Sequence, residues 1–419
     1  MSVERQSSCA DDFDPGSLPV ETAREKILQA IQPVAQNETV PLQNAIGRVL
    51  AEAIISPVNV PSHTNSAMDG YAVRGADLPE EGEVKLDMIG TAFAGHPFSA
   101  EMGAGECVRI MTGAAMPSGA DTVIMQEHVT AEGDQVTIGS GQRAGQHVRQ
   151  AGEDIKKGDA VLQPGKLLQA ADLGLIASLG IGEMQVTRRL KVAFFSTGDE
   201  LCSIGESLGE GQIYDSNRYT LHGMLQQFGV EIIDLGVVPD DREKLRQTLL
   251  TSAEQADVVI TSGGVSVGEA DYIKDLLEEL GQVNFWKIAM KPGRPLTFGR
   301  LGAAWFFGLP GNPVSVMVTF LQFVQPALQK LSGMRVKRPL QLQLPCQSRL
   351  KKQPGRIEYQ RAIMRQGEDG QWYVETTGGQ GSGILHSMSL ANCFIVLPED
   401  STGAEIGELV TVEPFCYLT

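Results

Sequence analysis

The sequence predicts an α/β and β multidomain protein. A central doubly wound α/β domain carries a glycine-loop ligand site, accompanied by an inserted β-rich module, a split helical domain and a small C-terminal β-barrel. Three observations predict this. From Leu190 to about Leu331, strand-length apolar runs alternate with amphipathic helical runs, the pattern of a parallel sheet covered on both faces. Between Val84 and Val136, and again beyond Pro339, helical periodicity gives way to short strands between Gly, Pro and polar turns. Helical patterns flank the first of these β stretches on both sides. A chain of 419 residues is also too long for one ordinary domain.

Residues 1–19 carry Glu4, Asp11, Asp12 and Asp14 against Arg5 with little apolar content, which predicts a flexible leader. Val20, Ala23, Ile27, Ala30, Ile31 and Val34 make a helical face, and a second short helix is expected over Leu42–Ile54. With a helix at Gln169–Leu179 and a strand at Glu183–Val186, these form the split helical domain, residues 20–56 and 157–188. The inserted module, 57–156, carries strands at Lys85–Gly90, Glu106–Met111, Thr122–His128 and Gln135–Ile138.

The α/β domain, 189–337, opens with a strand at Leu190–Phe195. A helix over Asp215–Phe228 stopped by Gly229, a strand at Val230–Val238 and a helix over Asp240–Gln255 follow. Asp257–Thr261 is a buried strand, then Ser262–Gly268 a glycine loop, then a helix to Leu280. Further strands are expected at Asn284–Met290, Leu296–Gly299 and Ala304–Gly308. The last helix has Asn312 at its N-cap and Pro313 at its first position. The C-terminal domain, 338–419, shows strands at Pro339–Leu350, Arg356–Met364, Trp372–Thr376, Asn392–Leu397 and Glu408–Pro414.

Composition narrows the function. A net charge of −17, from 34 basic and 51 acidic residues, argues against general nucleic-acid or anionic-membrane binding. Any anionic ligand must be held by local cations and backbone N–H groups. None of the six cysteines is in CxxC spacing, so neither a zinc site nor a redox pair is indicated. Dispersed cysteines without a signal-peptide pattern suit a reducing cytoplasm. The most apolar stretch, Ala303–Leu328, is broken by Pro310, Pro313 and several Gln residues, unlike a membrane span.

In an open α/β sheet, ligands bind beyond the carboxyl ends of the strands. Three consecutive strands place acids there: Asp199 and Glu200 after the first, Asp240 and Asp241 after the second, Asp271 after the third. In the glycine loop, Gly263, Gly264 and Gly268 let backbone approach an anion, while Ser262 and Ser266 add hydroxyl donors. Glu269 and Asp271 also suit a first helical turn without any ligand. The set as a whole points to a metal-bridged anion, with Mg²⁺ the natural cation. Lys287 and Lys291, four apart, are expected on one strand face with Arg294 nearby beyond Pro292-Gly293. Arg349, Lys351, Lys352, Arg356 and Arg361 form a second cationic group that equally suits a solvated face. Asp69, in Asp69-Gly70, reads locally as a turn residue. No catalytic triad, HExxH, P-loop lysine or strand-following GxGxxG is present.

Eight segments in unbroken order carry a resemblance. They are NSAMDGYAV (Asn65–Val73), RIMTGA (Arg109–Ala114), RQAGEDI (Arg149–Ile155), FSTGDEL (Phe195–Leu201), IYDSN (Ile213–Asn217), SGGVSVGEADY (Ser262–Tyr272), KPGRP (Lys291–Pro295) and GLPGNPVS (Gly308–Ser315). The chain resembles the molybdopterin molybdenumtransferase family, relatives of the E domain of gephyrin, from Val20 onward. The family normally has Lys where Arg294 stands, and either keeps the positive charge.

The resemblance implies four domains and an elongated homodimer in which one domain of the partner completes the cleft. It implies Mg²⁺-dependent insertion of molybdate into adenylated molybdopterin, with release of AMP. It assigns catalytic roles to Asp271, Glu200, Asp69, Asp240, Lys287 and Lys291, with Asp271, Glu200 and Asp240 the candidate metal ligands. It assigns substrate binding to the glycine loop, Thr112, Asp154, Arg149, Arg294, Pro310 and Pro313. Analogy adds molybdopterin adenylyltransferase as a candidate partner. The rival readings are that adenylyltransferase activity itself, a receptor-anchoring scaffold, and a pterin or molybdate carrier. The NSAMDGYAV module and the C-terminal β domain argue against the first, and the lack of a long linker or second enzyme domain against the scaffold.

Overall fold

The computed structural model describes residues 16–263 and 272–415. Most of the expected leader, and Gly264, Ser266, Gly268, Glu269 and Asp271, lie outside the described residues. The chain divides into two compact units, one of residues 39–46 and 50–186, the other of 16–38, 47–49 and 187–415.

The first unit contains a six-stranded sheet. Its strands are β1 (Gly70–Val73), β2 (Glu83–Ala92), β3 (Glu106–Ile110), β4 (Thr122–Met125), β5 (Val129–Glu132) and β6 (Gln135–Gly139), in spatial order β4-β1-β3-β2-β6-β5. Side chains alternate between two buried faces. Tyr71 and Val73 pack with Leu86, Cys107 and Ile124, whereas Ala72 packs with Val108, Ile110 and Val123. Residues on either side of this sheet share a third core, including Val40, Leu50 and Ile54 with Ile155, Leu168, Ile176 and Val186.

Two helical expectations here are corrected. Leu42–Ile54 is not a helix: a single 3₁₀ turn spans Leu42–Asn44, Gly47 takes φ +70°, and Ile54 enters a short strand. The positive φ breaks any helix at that point. Helix α1 (Val20–Ala30) does not belong to this core. Val20, Ala23, Ile27 and Ile31 bury instead in the second unit, among Leu190, Phe323 and Leu331. The core of 40–54 and 155–186 therefore holds one helix, α2 (Ala170–Ser178).

In the second unit, β7 (Lys191–Thr197), β8 (Glu231–Val238), β9 (Val258–Ser262), β10 (Gly281–Lys287), β12 (Pro295–Leu301) and β13 (Ala304–Leu309) form one sheet. The intervening β11 (Met290–Lys291) leaves it. The order is β8-β7-β9-β13-β12-β10, with the first four parallel and β12 antiparallel to both of its neighbours. Helices cover both faces. α3 (Ser216–Phe228), α6 (Pro313–Thr319) and α7 (Gln325–Leu331) pack on Val192, Phe194, Val258 and Ile260. α4 (Arg242–Gln255) and α5 (Tyr272–Leu280) pack on Ala193, Phe195 and Val259. Burial on both faces explains why β7 and β9 read as continuous apolar runs.

Caps fall where the sequence places them. Asp215 accepts from the Arg218 N–H (3.1 Å) and Asp241 from the Lys244 N–H (2.9 Å), and Gly229 ends α3 at φ +75°. Asn312 precedes α6 but its side chain makes no capping bond. A π turn at Phe320–Val324 joins α6 to α7, just before Pro326. Proline has no N–H for the carbonyl four residues back. That carbonyl, of Gln322, accepts from Arg24 Nε at 3.2 Å, which ties α1 to the widened turn.

Beyond residue 338, β14 (Leu342–Pro345), β15 (Ile357–Gln366), β16 (Trp372–Thr376), β17 (Cys393–Leu397) and β18 (Leu409–Pro414) build a sheet in the order β11-β15-β17-β18-β14, with β16 also paired to β15. A helix, α8 (Leu385–Leu390), interrupts the expected all-strand pattern. Six residues are too few to display a helical period. Among the described residues no helix is long and apolar enough to cross a membrane.

Asp257 anchors the start of β9. Arg188 donates to both of its oxygens (2.7 Å each) and the Lys191 N–H to one (2.8 Å). Burial pushes this carboxyl up, but the guanidinium and the N–H together outweigh it and hold the carboxyl below its ordinary value. A depressed folded pKa stabilises above the unfolded value, about pH 4, and that contribution is lost as pH falls through the folded pKa. Asp257→Asn is expected to lose about 2 kcal/mol at pH 7. In urea titrations at several pH values, the gap from wild type should close below about pH 4.

Candidate functional site

Because β7, β8 and β9 are parallel, their carboxyl ends share one edge, and there the fold gathers several candidate residues. The Thr197 hydroxyl, at the end of β7, donates to Asp240 Oδ1 from the loop after β8. At the next residue, Gly198, an added Cβ would fall 2.6 Å from Glu200 Oε2. Glu200 therefore folds back over the end of the same strand. Gly263, at φ +92°, lies so close that a Cβ would meet the Thr197 carbonyl oxygen at 2.5 Å. Glycine is required there by space and by backbone conformation alike. Both carboxylates are exposed.

Ser262 is buried at the end of β9, where its Oγ accepts from Asn217 Nδ2 (2.9 Å), and the same amide donates to Gly311 O (2.7 Å). Three separate segments, 213–217, 262–263 and 308–315, thereby meet at one strand edge. Pro310 is buried and Pro313, opening α6, is half-buried. Ser196 Oγ, Thr261 Oγ1, Asn217 Oδ1 and Asp215 Oδ2 are buried around this edge without a hydrogen-bond partner among the described residues. Such orphaned groups are uncommon in folded proteins.

The lysine expectation is corrected. Lys287 ends β10, after which the Ile288 N–H donates to Arg294 O (2.7 Å) and the chain leaves the α/β sheet. Lys291 lies in β11, paired in parallel with Ile357–Glu358 of the C-terminal sheet. The two lysines thus belong to different sheets rather than to one strand face. Each is exposed, and Arg294 is half-buried in the connecting turn. The second cationic group divides as well. Arg349 makes an exposed pair with Glu405 (2.9 Å), whereas Lys352 and Arg361 are buried, at 8% and 1% exposure.

In the other unit, Asp69 is more than a turn residue. Its Oδ1 accepts from both the backbone N–H and the hydroxyl of Thr112, each at 2.7 Å. The N–H first and the hydroxyl second hold this carboxyl below its ordinary value, with Arg109 adding a favourable charge. Forty-three positions separate the partners, so no local pattern could reveal the pair. The place of Thr112 within the RIMTGA segment was the available signal. Arg149 stands opposite Asn65 on paired short strands, and Asp154 is exposed with its N–H donating to Val60 O (3.1 Å).

These features define a multidomain mixed α/β protein with acids gathered at the carboxyl edge of a parallel sheet. Residues 18–180 match the family described as MoeA N-terminal region (domain I and II), residues 193–330 a probable molybdopterin binding domain, and residues 343–415 the MoeA C-terminal region (domain IV). The molybdopterin molybdenumtransferase of Haemophilus influenzae is 49% identical over 96% of this chain and 99% of its own length. Gephyrin of Dictyostelium discoideum is 35% identical over 96% of this chain and 63% of its own. A crystal structure of the molybdopterin biosynthesis moeA protein of Pyrococcus horikoshii superimposes with a TM-score of 0.83 at 32% identity, covering 95% of this chain and all of that one. The chain belongs to the molybdopterin molybdenumtransferase family, transferases of molybdenum cofactor biosynthesis.

If Thr112 sets the Asp69 charge state, Thr112→Val, which keeps the N–H and removes the hydroxyl, should raise the Asp69 pKa toward its ordinary value. Carboxyl ¹³C NMR titration reads this directly. An unmoved pKa would mean the hydroxyl contributes nothing.

Proposed function

We propose that the protein inserts molybdate into adenylated molybdopterin with release of AMP, in a Mg²⁺-dependent reaction. The observation that carries the reading is the convergence of Glu200 and Asp240 on the Thr197–Gly198 strand end, beside Gly263. The Haemophilus influenzae relative, a molybdopterin molybdenumtransferase by name, supports it independently.

Glu200 and Asp240 suit a hard divalent cation, being two exposed carboxylates at one edge with Gly263, where the glycine loop begins, beside them. They would hold Mg²⁺ together with Asp271. Bound there, the cation would supply positive charge against the phosphoanhydride oxygens. The glycine loop is the proposed cradle for the phosphate, with Ser262 held in place by Asn217. Lys287, Lys291 and Arg294 supply positive charge for oxyanions, Lys287 in particular for the charge that builds on the departing phosphate. Asp69, Thr112, Arg149 and Asp154 are proposed to meet the substrate bound by a partner subunit, across the homodimer. The C-terminal sheet is proposed to curl into a small barrel. The protein is proposed to act in the cytoplasm as a homodimer, receiving adenylated molybdopterin from an adenylyltransferase.

Single-turnover mixing with adenylated molybdopterin, molybdate and Mg²⁺ tests the reaction by following AMP and pterin-bound molybdenum together. Stoichiometric AMP release should require both molybdate and Mg²⁺. Glu200→Ala should slow it by at least about 10²-fold while leaving the far-UV circular dichroism unchanged. Ligand binding without AMP release would identify a carrier instead, and ATP-dependent adenylation of free molybdopterin would identify the upstream enzyme.

A further inference from the structure

The Lys291 segment carries an arrangement that the proposed reaction does not explain by itself. The chain leaves the α/β sheet after Lys287 and lends two residues to the C-terminal sheet, where Lys291 registers against Glu358. The Ile357 N–H donates to Ala289 O (3.0 Å), fixing the backbone of this crossing. Lys291 Nζ then lies 3.5 Å from Glu358 Oε1, the lysine side chain 47% exposed and the glutamate 7%. The same oxygen accepts from Gln360 Nε2 at 3.1 Å.

A buried carboxylate is expensive unless it is compensated. Two buried cations of this domain feel the Glu358 charge. Burial lowers the Lys352 ammonium, and it lowers the Arg361 guanidinium to about 10, with Glu358 opposing the shift in both. Their hydrogen bonds nevertheless go elsewhere. Lys352 donates to Gln353 O, Glu399 O and Ser401 O, and Arg361 to Ser387 Oγ and Gly381 O. Among the described residues, the ammonium within ion-pair distance of Glu358 is that of Lys291. A charge-compensating role toward Lys352 and Arg361 would not require that contact. Lysine has a long side chain with large rotamer entropy, and an exposed one must be ordered before it can grip an anion.

We propose that Glu358 is a positioning residue: its buried carboxylate holds the half-exposed Lys291 ammonium at the sheet edge, ready for the incoming oxyanion. The inference rests on the reading of Lys291 as an oxyanion-binding group. Preorganisation of this kind acts chiefly on binding, so its loss should appear in the KM for molybdate rather than in kcat.

Glu358→Asp is the informative substitution. It keeps the negative charge near Lys352 and Arg361 but withdraws it from Lys291 by one methylene. Glu358→Gln, which removes the charge, is the companion variant. In AMP release by the full chain at saturating adenylated molybdopterin, each should raise the KM for molybdate about five- to tenfold, with kcat within about twofold. Calorimetric binding of molybdate alone should weaken in parallel. In the Lys291→Ala background neither variant should have a further effect, because the interaction is already absent. Unchanged or tighter molybdate binding in the Glu358 variants, or effects that simply add to those of Lys291→Ala, would overturn the positioning role. If Lys291→Ala itself matches wild type, the reading of Lys291 fails and the inference falls with it.

Discussion

The carbonyl oxygen of Thr197 stands 2.5 Å from where a side chain on Gly263 would begin, and the candidate site depends on that approach. β7 and β9 run parallel with Ser196 opposite Ser262, so the two strands end at the same level. Thr197 then serves two neighbours at once. Its carbonyl admits only glycine at 263, and its hydroxyl donates to Asp240. The next residue, Gly198, leaves space that the Glu200 carboxylate occupies. One strand end therefore sets the relation between an acid from its own loop, an acid from the loop after β8, and the start of the glycine loop.

Such a junction holds its geometry because the sheet beneath it is rigid. Phe194 and Phe195 bury on opposite faces of β7, and Val258, Val259 and Ile260 do the same on β9. Close packing on both sides leaves little freedom to relax. The polar atoms stranded at this edge, Ser196 Oγ, Thr261 Oγ1 and Asn217 Oδ1, each oppose folding by about 1–3 kcal/mol when unsatisfied. Their grouping beside the acids fits an edge shaped for a polar ligand more than for stability.

The sequence showed most clearly what local periodicity controls. β7 and β9 were legible as apolar runs, α3 through Asp215 and Gly229, and α6 through Asn312 and Pro313. Placement that depends on one strand end was legible too, since Glu200 and Asp240 each follow a recognisable strand. What failed was non-local. Spacing put Lys287 and Lys291 on one strand, but the chain changes sheets at Ile288, and a four-residue interval cannot register that. The apolar residues of 42–54 suggested a helix until Gly47 turned to positive φ. The amphipathic face of α1 was read correctly, yet its partner, the widened turn at Gln322, lies some 300 positions away. The glycine-loop residues from Gly264 to Asp271 lie outside the described structure, so their roles rest on the strand-end reading of the sequence and on the resemblance.

The proposed reaction requires Glu200 and Asp240 to act as one cation site rather than as two independent loop acids. Binding of Mn²⁺, a paramagnetic stand-in for Mg²⁺, can be followed by electron paramagnetic resonance in the presence of AMP. The measurement would compare wild type with Glu200→Gln and Asp240→Asn. The account predicts one site whose affinity falls at least about tenfold in each variant. Wild-type Mn²⁺ affinity in both would contradict it, leaving the strand-end convergence as loop architecture without a cation to hold.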